Sequence, residues 1–204
     1  MGGPPCQKEY RKLIGSLIYV VQTRPDVANI VSELSRFLDC AQSVHYKPGI
    51  KVLRYLNTTK TKSLTYRPNE RKGHQLFAYV DASYNSDEDS SRSRSGYIVF
   101  LYNCPISWRS RLQPIVAQSS TEAEYIAVTD CFKEIMWLWQ LLAEIGYEQD
   151  TTTVYCDNKS TIALADNHMV KTRTKHIRVR YHWIRDLILD EEIKLEYVPT
   201  ADNI

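Results

Sequence analysis

The sequence lacks the features that mark membrane, secreted and disulfide-bonded proteins. No apolar run reaches the length of a membrane span, and residues 1–6 have neither the basic nor the apolar region of a signal peptide. The five cysteines are odd in number, widely spaced and without a CxxC pair. This pattern predicts reduced, mostly buried thiols in an intracellular protein, and it disfavours a disulfide framework or a zinc site.

The chain also has little net charge. Its 26 basic and 24 acidic residues give a formal charge of +2, so any argument for a polyanionic partner must rest on local clusters. The length of 204 residues, with 43% hydrophobic and 25% charged residues, is typical of one globular domain or of a domain with an appendage.

The first third of the chain has the apolar spacing of helices. Residues 10–21 and 27–38 each carry apolar side chains at helical intervals, and a third helix is indicated around residues 52–56. The start of the third helix is obscured by the pair Pro48 and Gly49, because proline and glycine break helices. Residues 68–73 are the best linker candidate, so we expect a helical segment over residues 1–68 and a second domain over residues 74–204.

The sequence of the second domain predicts strands that are followed by a crossover connection. Short apolar runs at residues 76–80, 96–102 and 106–108 predict antiparallel strands, and Ser119 with Glu122 forms a capping box that opens a long helix ending near Gly146. A strand at 152–156, helical stretches at 160–165 and 171–189, and a strand at 193–198 follow. The order β-β-β-α-β-α-α-β predicts a mixed α/β sheet with helices packed on it.

Three carboxylates are candidates for a shared site. Asp81 and Asp157 each end an apolar strand, and Glu124 lies one turn into the long helix. If the two strands are parallel neighbours, their carboxyl ends meet at one edge of the sheet, where Glu124 could join them. Crowded carboxylates repel one another and resist ionisation unless a cation joins them, and oxygen ligands suit Mg²⁺ or Mn²⁺. Two such ions roughly 4 Å apart can hydrolyse a phosphodiester. By spacing alone, the alternative stays open that both aspartates cap turns and Glu124 is a solvated helix residue.

A series of short motifs occurs in order along the chain. They are Phe-Ala-Tyr-Val-Asp at 77–81, Ser-Gly-Tyr at 95–97, Ile-Ser-Trp at 106–108, Ser-Ser-Thr-Glu-Ala-Glu-Tyr at 119–125, Tyr-Cys-Asp-Asn at 155–158, Arg-Thr-Lys-His-Ile at 173–177 and Glu-Tyr-Val-Pro-Thr at 196–200. Together they resemble the ribonuclease H domain of copia-type retrotransposon Pol polyproteins. Upstream, residues 13–17, 23–26 and 52–56 resemble the segment that joins reverse transcriptase to that domain, so the similarity covers nearly the whole chain.

The resemblance implies a fold and a site. The fold would be a ribonuclease H-like mixed five-stranded sheet with helices on both faces, preceded by the helical C-terminal part of a reverse transcriptase. Asp81, Glu124 and Asp157 would be the catalytic, metal-binding carboxylates. Glu124 is preferred over Glu122 because it precedes the Tyr-Ile-Ala run of the family's helix.

The resemblance also implies an activity and its partners. The chain would be an endonuclease that cuts the RNA strand of an RNA–DNA hybrid during reverse transcription, with Mg²⁺ as cofactor and Mn²⁺ as an alternative. Its partners would be the hybrid and the rest of the polyprotein, with no membrane. Its location would be the cytoplasm, in virus-like particles, with the nucleus as an alternative.

The departures from the family pattern favour a second reading. The family's fourth aspartate follows shortly after Val-Pro-Thr in an Ala-Asp pair, and the sequence ends at Ile204, which we place just short of that pair. Asp202 matches an earlier acidic position of that segment and not the metal ligand, so a helix cap is favoured over a role in place of the fourth aspartate. The acidic residues of a polymerase site are absent, so polymerisation by this chain alone is not expected. The alternative is a weak or inactive fragment that acts as a nucleic-acid-binding or interaction module.

A basic stretch is the candidate nucleic-acid contact. Cationic side chains cluster in one helical segment, among them Lys171, Arg173, Lys175 and Arg178. They either follow the phosphates of a nucleic acid or form a solvated helix face whose apolar side packs inward. The spacing allows both readings.

Overall fold

The computed structural model describes residues 7–66, 75–166 and 175–203. The chain divides into two compact units, Met1–Tyr66 and Arg67–Ile204, which we call the helical unit and the sheet unit. Among the described helices of both units, none combines the length and the apolar character that crossing a bilayer requires.

The helical unit contains α1 (Gln7–Val21), a 3₁₀ turn (Pro25–Val27), α2 (Ala28–Ser35) and α3 (Ser43–Thr58). One face of each helix is apolar, and these faces meet in a core of seven buried residues: Tyr10, Ile14, Leu17, Val27, Val31, Leu34 and Val52. The fully buried Tyr10 satisfies its hydroxyl by donating to the Leu34 carbonyl at 2.8 Å. The apolar periodicity of the sequence therefore located these helices.

The third helix begins earlier than the sequence indicated and continues through Pro48. Its start is fixed by the side chain of His45, whose Nδ1 accepts the backbone N–H of Gln42 at 3.1 Å. Pro48 lies in the second turn, where it removes a single helical hydrogen bond. Packing explains the glycine at position 49, because a Cβ there would lie 2.9 Å from Cδ2 of Leu13 in α1.

The described residues of the sheet unit form five strands, three α-helices and a 3₁₀ turn (Thr200–Asp202). In chain order the strands and α-helices are β1 (Leu76–Ser83), β2 (Arg94–Leu101), β3 (Cys104–Leu112), α4 (Ser120–Glu144), β4 (Thr152–Cys156), α5 (Lys159–Asp166), α6 (Lys175–Leu189) and β5 (Ile193–Tyr197). The sheet order is β3-β2-β1-β4-β5. The β1–β2 and β2–β3 pairs are antiparallel, and the β1–β4 and β4–β5 pairs are parallel. The predicted mixed five-stranded α/β sheet and its element order are confirmed.

The two faces of this sheet differ in character. Alternate residues such as Ala78, Val99 and Val154 are fully buried and form one core with Phe132 and other apolar residues of α4, α5 and α6. The opposite face carries half-buried aromatic rings, with Phe77 stacked on Phe100 and Tyr79 stacked on Tyr155, each at a centroid distance of 5.0 Å. Helices were expected on both faces, but those in the described part of the unit pack on one face.

Local hydrogen bonds fix both ends of α4. The Ser119 hydroxyl accepts the backbone N–H of Glu122 at 3.1 Å, as a capping box requires. The Glu122 carboxylate reaches one residue further back and accepts the N–H of Gln118 at 2.8 Å. At the other end Gly146 has a φ of +83°, and the N–H of Tyr147 donates to the Leu142 carbonyl at 2.8 Å. This is a Schellman ending, and it satisfies carbonyl groups at the C-terminus of the long helix.

Candidate functional site

Asp81 and Asp157 lie side by side because their strands are parallel neighbours. Val80 of β1 pairs with Cys156 of β4, so the next residue of each strand is an aspartate at the same edge of the sheet. The following segment turns into α5, where the side chain of Asn158 accepts the N–H of Thr161 at 3.0 Å and caps the helix. The parallel pairing thus brings together two carboxylates that are far apart in sequence.

Glu124 joins them from the first turns of α4. Its side chain is only 6% exposed, and the backbone N–H of Ala82 donates to it. Burial, and then the charges of Asp81 and Asp157, raise the pKa of Glu124 to about 8. Its Oε2 atom is buried and has no hydrogen-bond partner. Burial has removed this carboxylate oxygen from water without supplying a hydrogen-bond donor in exchange, which costs free energy. A bound cation would offset that cost.

The other groups of the cluster have the same electrostatic signature. Burial raises the pKa of Asp81, and the charge of Asp157 raises it further. Cys156 is fully buried, and burial raises the pKa of its thiol to about 12. A carboxylate oxygen of Glu124, the sulfur of Cys156 and a carboxylate oxygen of Asp157 all lie within 4.8 Å of one another. Glu124 and Asp157 are therefore close enough to share a divalent cation through hard oxygen atoms. Asp81 lies outside this converging group but near enough for its charge to raise the pKa of Glu124.

The segment after β5 supports this edge of the sheet. The Thr200 hydroxyl donates to Oδ2 of Asp157 at 2.7 Å, and the side-chain amide of Asn203 donates to the Val80 carbonyl at 3.1 Å. These two hydrogen bonds connect the segment after β5 to the carboxyl ends of β4 and β1. Asp202 lies in the short 3₁₀ turn between them, is exposed, and does not belong to the group of converging ligand atoms found among the described residues.

Gln113 connects the helix that carries Glu124 to the sheet. Its side chain is fully buried, and Nε2 donates both to the Ser95 hydroxyl at 2.9 Å and to the Ala123 carbonyl at 2.8 Å. Because Ser95 belongs to β2 and Ala123 immediately precedes Glu124, this amide fixes the height of the first turns of α4 on the sheet.

The sequence did not predict a role at the site for several of these residues. Cys156 occupies an inward-facing position one residue before Asp157, so its alternation pattern carried a signal for burial beside the site. Thr200 belongs to a recognised motif, yet its contact with Asp157 depends on the parallel β4–β5 pairing. Hydrophobic periodicity could not predict the roles of Gln113 and Asn203, because each residue lies in a connecting segment and acts through a single side-chain amide.

The predicted nucleic-acid contacts fall largely where no side chain is described. Lys171 and Arg173 lie outside the described residues. Lys175 and Arg178 belong to α6, and their side chains are outside the described part of the chain. The phosphate track stays a prediction.

No protein-family model matches the chain, but it resembles transposon polyproteins. It is 43% identical over 202 residues to the Retrovirus-related Pol polyprotein from transposon TNT 1-94 of Nicotiana tabacum, which is 98% of this chain and 15% of that polyprotein. It is 37% identical over 203 residues to the corresponding polyprotein from transposon RE2 of Arabidopsis thaliana, again 98% of this chain and 14% of the relative. The chain thus spans about one-seventh of the length of these relatives.

A solved structure shares the fold. The foamy viral protease-reverse transcriptase dRH, in complex with double-stranded DNA, is 16% identical in sequence. It matches with a TM-score of 0.62 over 100% of this chain and 34% of that one.

Proposed function

Because the chain belongs to the family of copia-type retrotransposon Pol polyproteins and has a ribonuclease H-like fold, we propose that it is a metal-dependent endonuclease that cuts the RNA strand of an RNA–DNA hybrid. The observation that carries this proposal is the convergence of Glu124 with Asp157, at the edge of the sheet where Asp81 lies on the neighbouring parallel strand and acts on Glu124 through its charge. Such a cluster, at the carboxyl edge of parallel strands and with a buried oxygen that lacks a donor, fits oxygen-ligated Mg²⁺.

Each side chain of the cluster would have a distinct role. Asp81, Glu124 and Asp157 would hold the cations, which when bound supply activation of water and stabilisation of the leaving oxygen in phosphodiester hydrolysis. The Ala82 N–H orients the Glu124 carboxylate, and the Thr200 hydroxyl orients that of Asp157. Fixing the ligand carboxylates in this way reduces the reorganisation needed at the moment of reaction.

The substrate class follows from the family and from the physics of hybrid recognition. A hybrid duplex is recognised through its shape, its phosphates and its 2′-hydroxyls rather than through base sequence. We propose that Lys171, Arg173, Lys175 and Arg178 contact its phosphates, which predicts binding that weakens steeply with salt. The helical unit would be the C-terminal part of a reverse transcriptase, acting with the rest of the polyprotein in cytoplasmic particles.

A cleavage assay on an RNA–DNA hybrid with Mg²⁺ tests the proposal. Asp81→Asn, Glu124→Gln and Asp157→Asn are each expected to lower the cleavage rate by more than the roughly 10–100-fold that outer contacts to a metal typically contribute. Glu122→Gln is the matched control, because Glu122 is a neighbouring α4 carboxylate whose contact is the capping bond to Gln118. Equal rates in the wild type and all three site variants would rule the proposal out.

A binding module without efficient cleavage is the second candidate. It is favoured by the position of Asp202, which is exposed and, like Asp81, outside the converging group, so that among the described residues this group contains the two carboxylates of Glu124 and Asp157. Salt-sensitive hybrid binding without Mg²⁺-dependent cleavage would support this candidate over the nuclease.

A further inference from the structure

One of the ligand atoms that converge at the site is a sulfur. The thiol of Cys156 lies within 4.8 Å of ligand oxygens of both Glu124 and Asp157. Carboxylate oxygens suit hard cations such as Mg²⁺, whereas thiolate ligands favour softer ones such as Zn²⁺ and Cd²⁺. A cation that is bound by oxygen atoms alone would not need this sulfur. Its position beside two carboxylates therefore gives the site a preference for softer cations in addition to hard ones.

A separate observation shows that one oxygen atom of this group has no bonding partner. Glu124 is more than nine-tenths buried, and its Oε2 atom has neither a hydrogen-bond donor nor solvent. The sulfur of Cys156 is engaged weakly, through a backbone N–H of Asn158 at 3.5 Å. Asp157 is half-buried, so the group is open to solvent on that side.

We propose that Cys156, Glu124 and Asp157 form a binding site for a thiophilic divalent cation of the Zn²⁺ class. The cation would take one thiolate and two carboxylate ligands and complete its shell with water, as mixed sulfur and oxygen ligation allows. On binding, the thiol proton of Cys156 and the proton that Glu124 holds in the metal-free protein are released to the solvent, and no oxidation state changes. Because the site shares Glu124 and Asp157 with the proposed catalytic cluster, a soft cation bound there would exclude the hard one.

The binding step can be tested without any nuclease activity. Cd²⁺ is the probe, because a cadmium–thiolate bond produces an ultraviolet charge-transfer band that carboxylate ligation does not. The 204-residue chain, freed of metal, is titrated with Cd²⁺ in a background in which Cys6 and Cys40 are replaced by serine. We expect a band that saturates at one Cd²⁺ per chain.

Three variants in that background locate the ligands. Cys156→Ser is expected to abolish the band, and Glu124→Gln, which keeps the thiol, is expected to weaken Cd²⁺ binding by about tenfold or more. Cys131→Ser is the matched control, because Cys131 is an equally buried thiol that is not part of the converging group, and it should retain the band. An unchanged band in Cys156→Ser, or unchanged affinity in Glu124→Gln, would overturn the proposal.

Competition by the hard cation is the part that rests on the proposed function. Millimolar Mg²⁺ is expected to weaken the apparent affinity for Cd²⁺, and Cd²⁺ is expected to inhibit hybrid cleavage at lower concentration in the wild type than in Cys156→Ser. A protein that binds Cd²⁺ through Cys156 but never cleaves a hybrid would refute the nuclease and leave the soft-cation site standing. Cleavage without a charge-transfer band would do the reverse.

Discussion

At the scale of single residues, Glu124 links the candidate site to the stability of the whole sheet unit. Its pKa is raised from 4.5 to about 8, first by burial and then by Asp81 and Asp157, so the folded protein holds a proton there that the unfolded chain releases. The contribution to stability is fully present below pH 4.5 and is lost as the pH rises through about 8. The raised pKa of Asp81 acts in the same direction.

We therefore expect the melting temperature of the metal-free protein to fall between pH 5 and pH 9, and Glu124→Gln to flatten this dependence. Above pH 8 the variant should melt a few degrees higher than the wild type, since about 1 kcal/mol corresponds to roughly 2–8 °C for a domain of this size. Thermal melts in chelator measure both, with the exposed Asp89→Asn as the control. A variant whose melting temperature falls with pH as steeply as that of the wild type would contradict the assignment of burial at Glu124.

Thr200 provides a second test at this scale. Its hydroxyl donates to Asp157 at 2.7 Å and holds that carboxylate in one orientation. Thr200→Val keeps the shape and removes the donor, and we expect it to raise the Mg²⁺ concentration needed for half-maximal cleavage by roughly 10-fold. Thr200→Ser should restore the wild-type value. A Thr200→Val protein with an unchanged Mg²⁺ requirement would show that the hydroxyl does not position Asp157.

At the scale of elements, the C-terminus of α4 depends on one glycine. Gly146 has a φ of +83°, a conformation that side chains with a Cβ rarely adopt. We expect Gly146→Ala to destabilise the protein by about 1 kcal/mol, because the helix would lose its Schellman ending or retain it under strain. Chemical denaturation of both proteins measures the difference.

Gly15 is the matched control for that substitution. It lies exposed in the middle of α1, and a Cβ there would meet nothing within 4 Å. The same change to alanine should stabilise α1 by about 0.5–1 kcal/mol, because alanine is the better helix former. If both substitutions change stability in the same direction, the conformational argument for Gly146 is wrong.

The elements also show which features a sequence can reveal. The apolar run of residues 76–80 and the Ser119–Glu122 capping box are local signals, and β1 and α4 were predicted from them with nearly their observed bounds. The path of α3 through Pro48 was missed, because it depends on packing of Gly49 against α1. The meeting of Asp81 with Asp157 was conditional on a parallel pairing that periodicity does not specify, and the resemblance supplied that condition. Cys156 escaped notice as a site residue because it reads as an ordinary core position.

At the scale of the whole molecule, each unit has a hydrophobic core of its own. The core of the helical unit centres on Leu17 and its neighbours, and that of the sheet unit on Phe132, with no residue common to both clusters. Both side chains are fully buried. Separate cores are the usual basis of units that unfold separately, and we propose this behaviour here.

Truncating one side chain in each core tests that proposal. Leu17→Ala should destabilise the helical unit by about 2–5 kcal/mol and Phe132→Ala the sheet unit by about 3–5 kcal/mol. Amide hydrogen exchange read by peptide should then rise in α1 to α3 for the first variant and in β1 to β5 for the second. Because Cys156, Glu124 and Asp157 all belong to the sheet unit, Leu17→Ala should also leave the charge-transfer band of bound Cd²⁺ unchanged. Equal increases of exchange in both units for either variant would mean that the chain unfolds as one cooperative body.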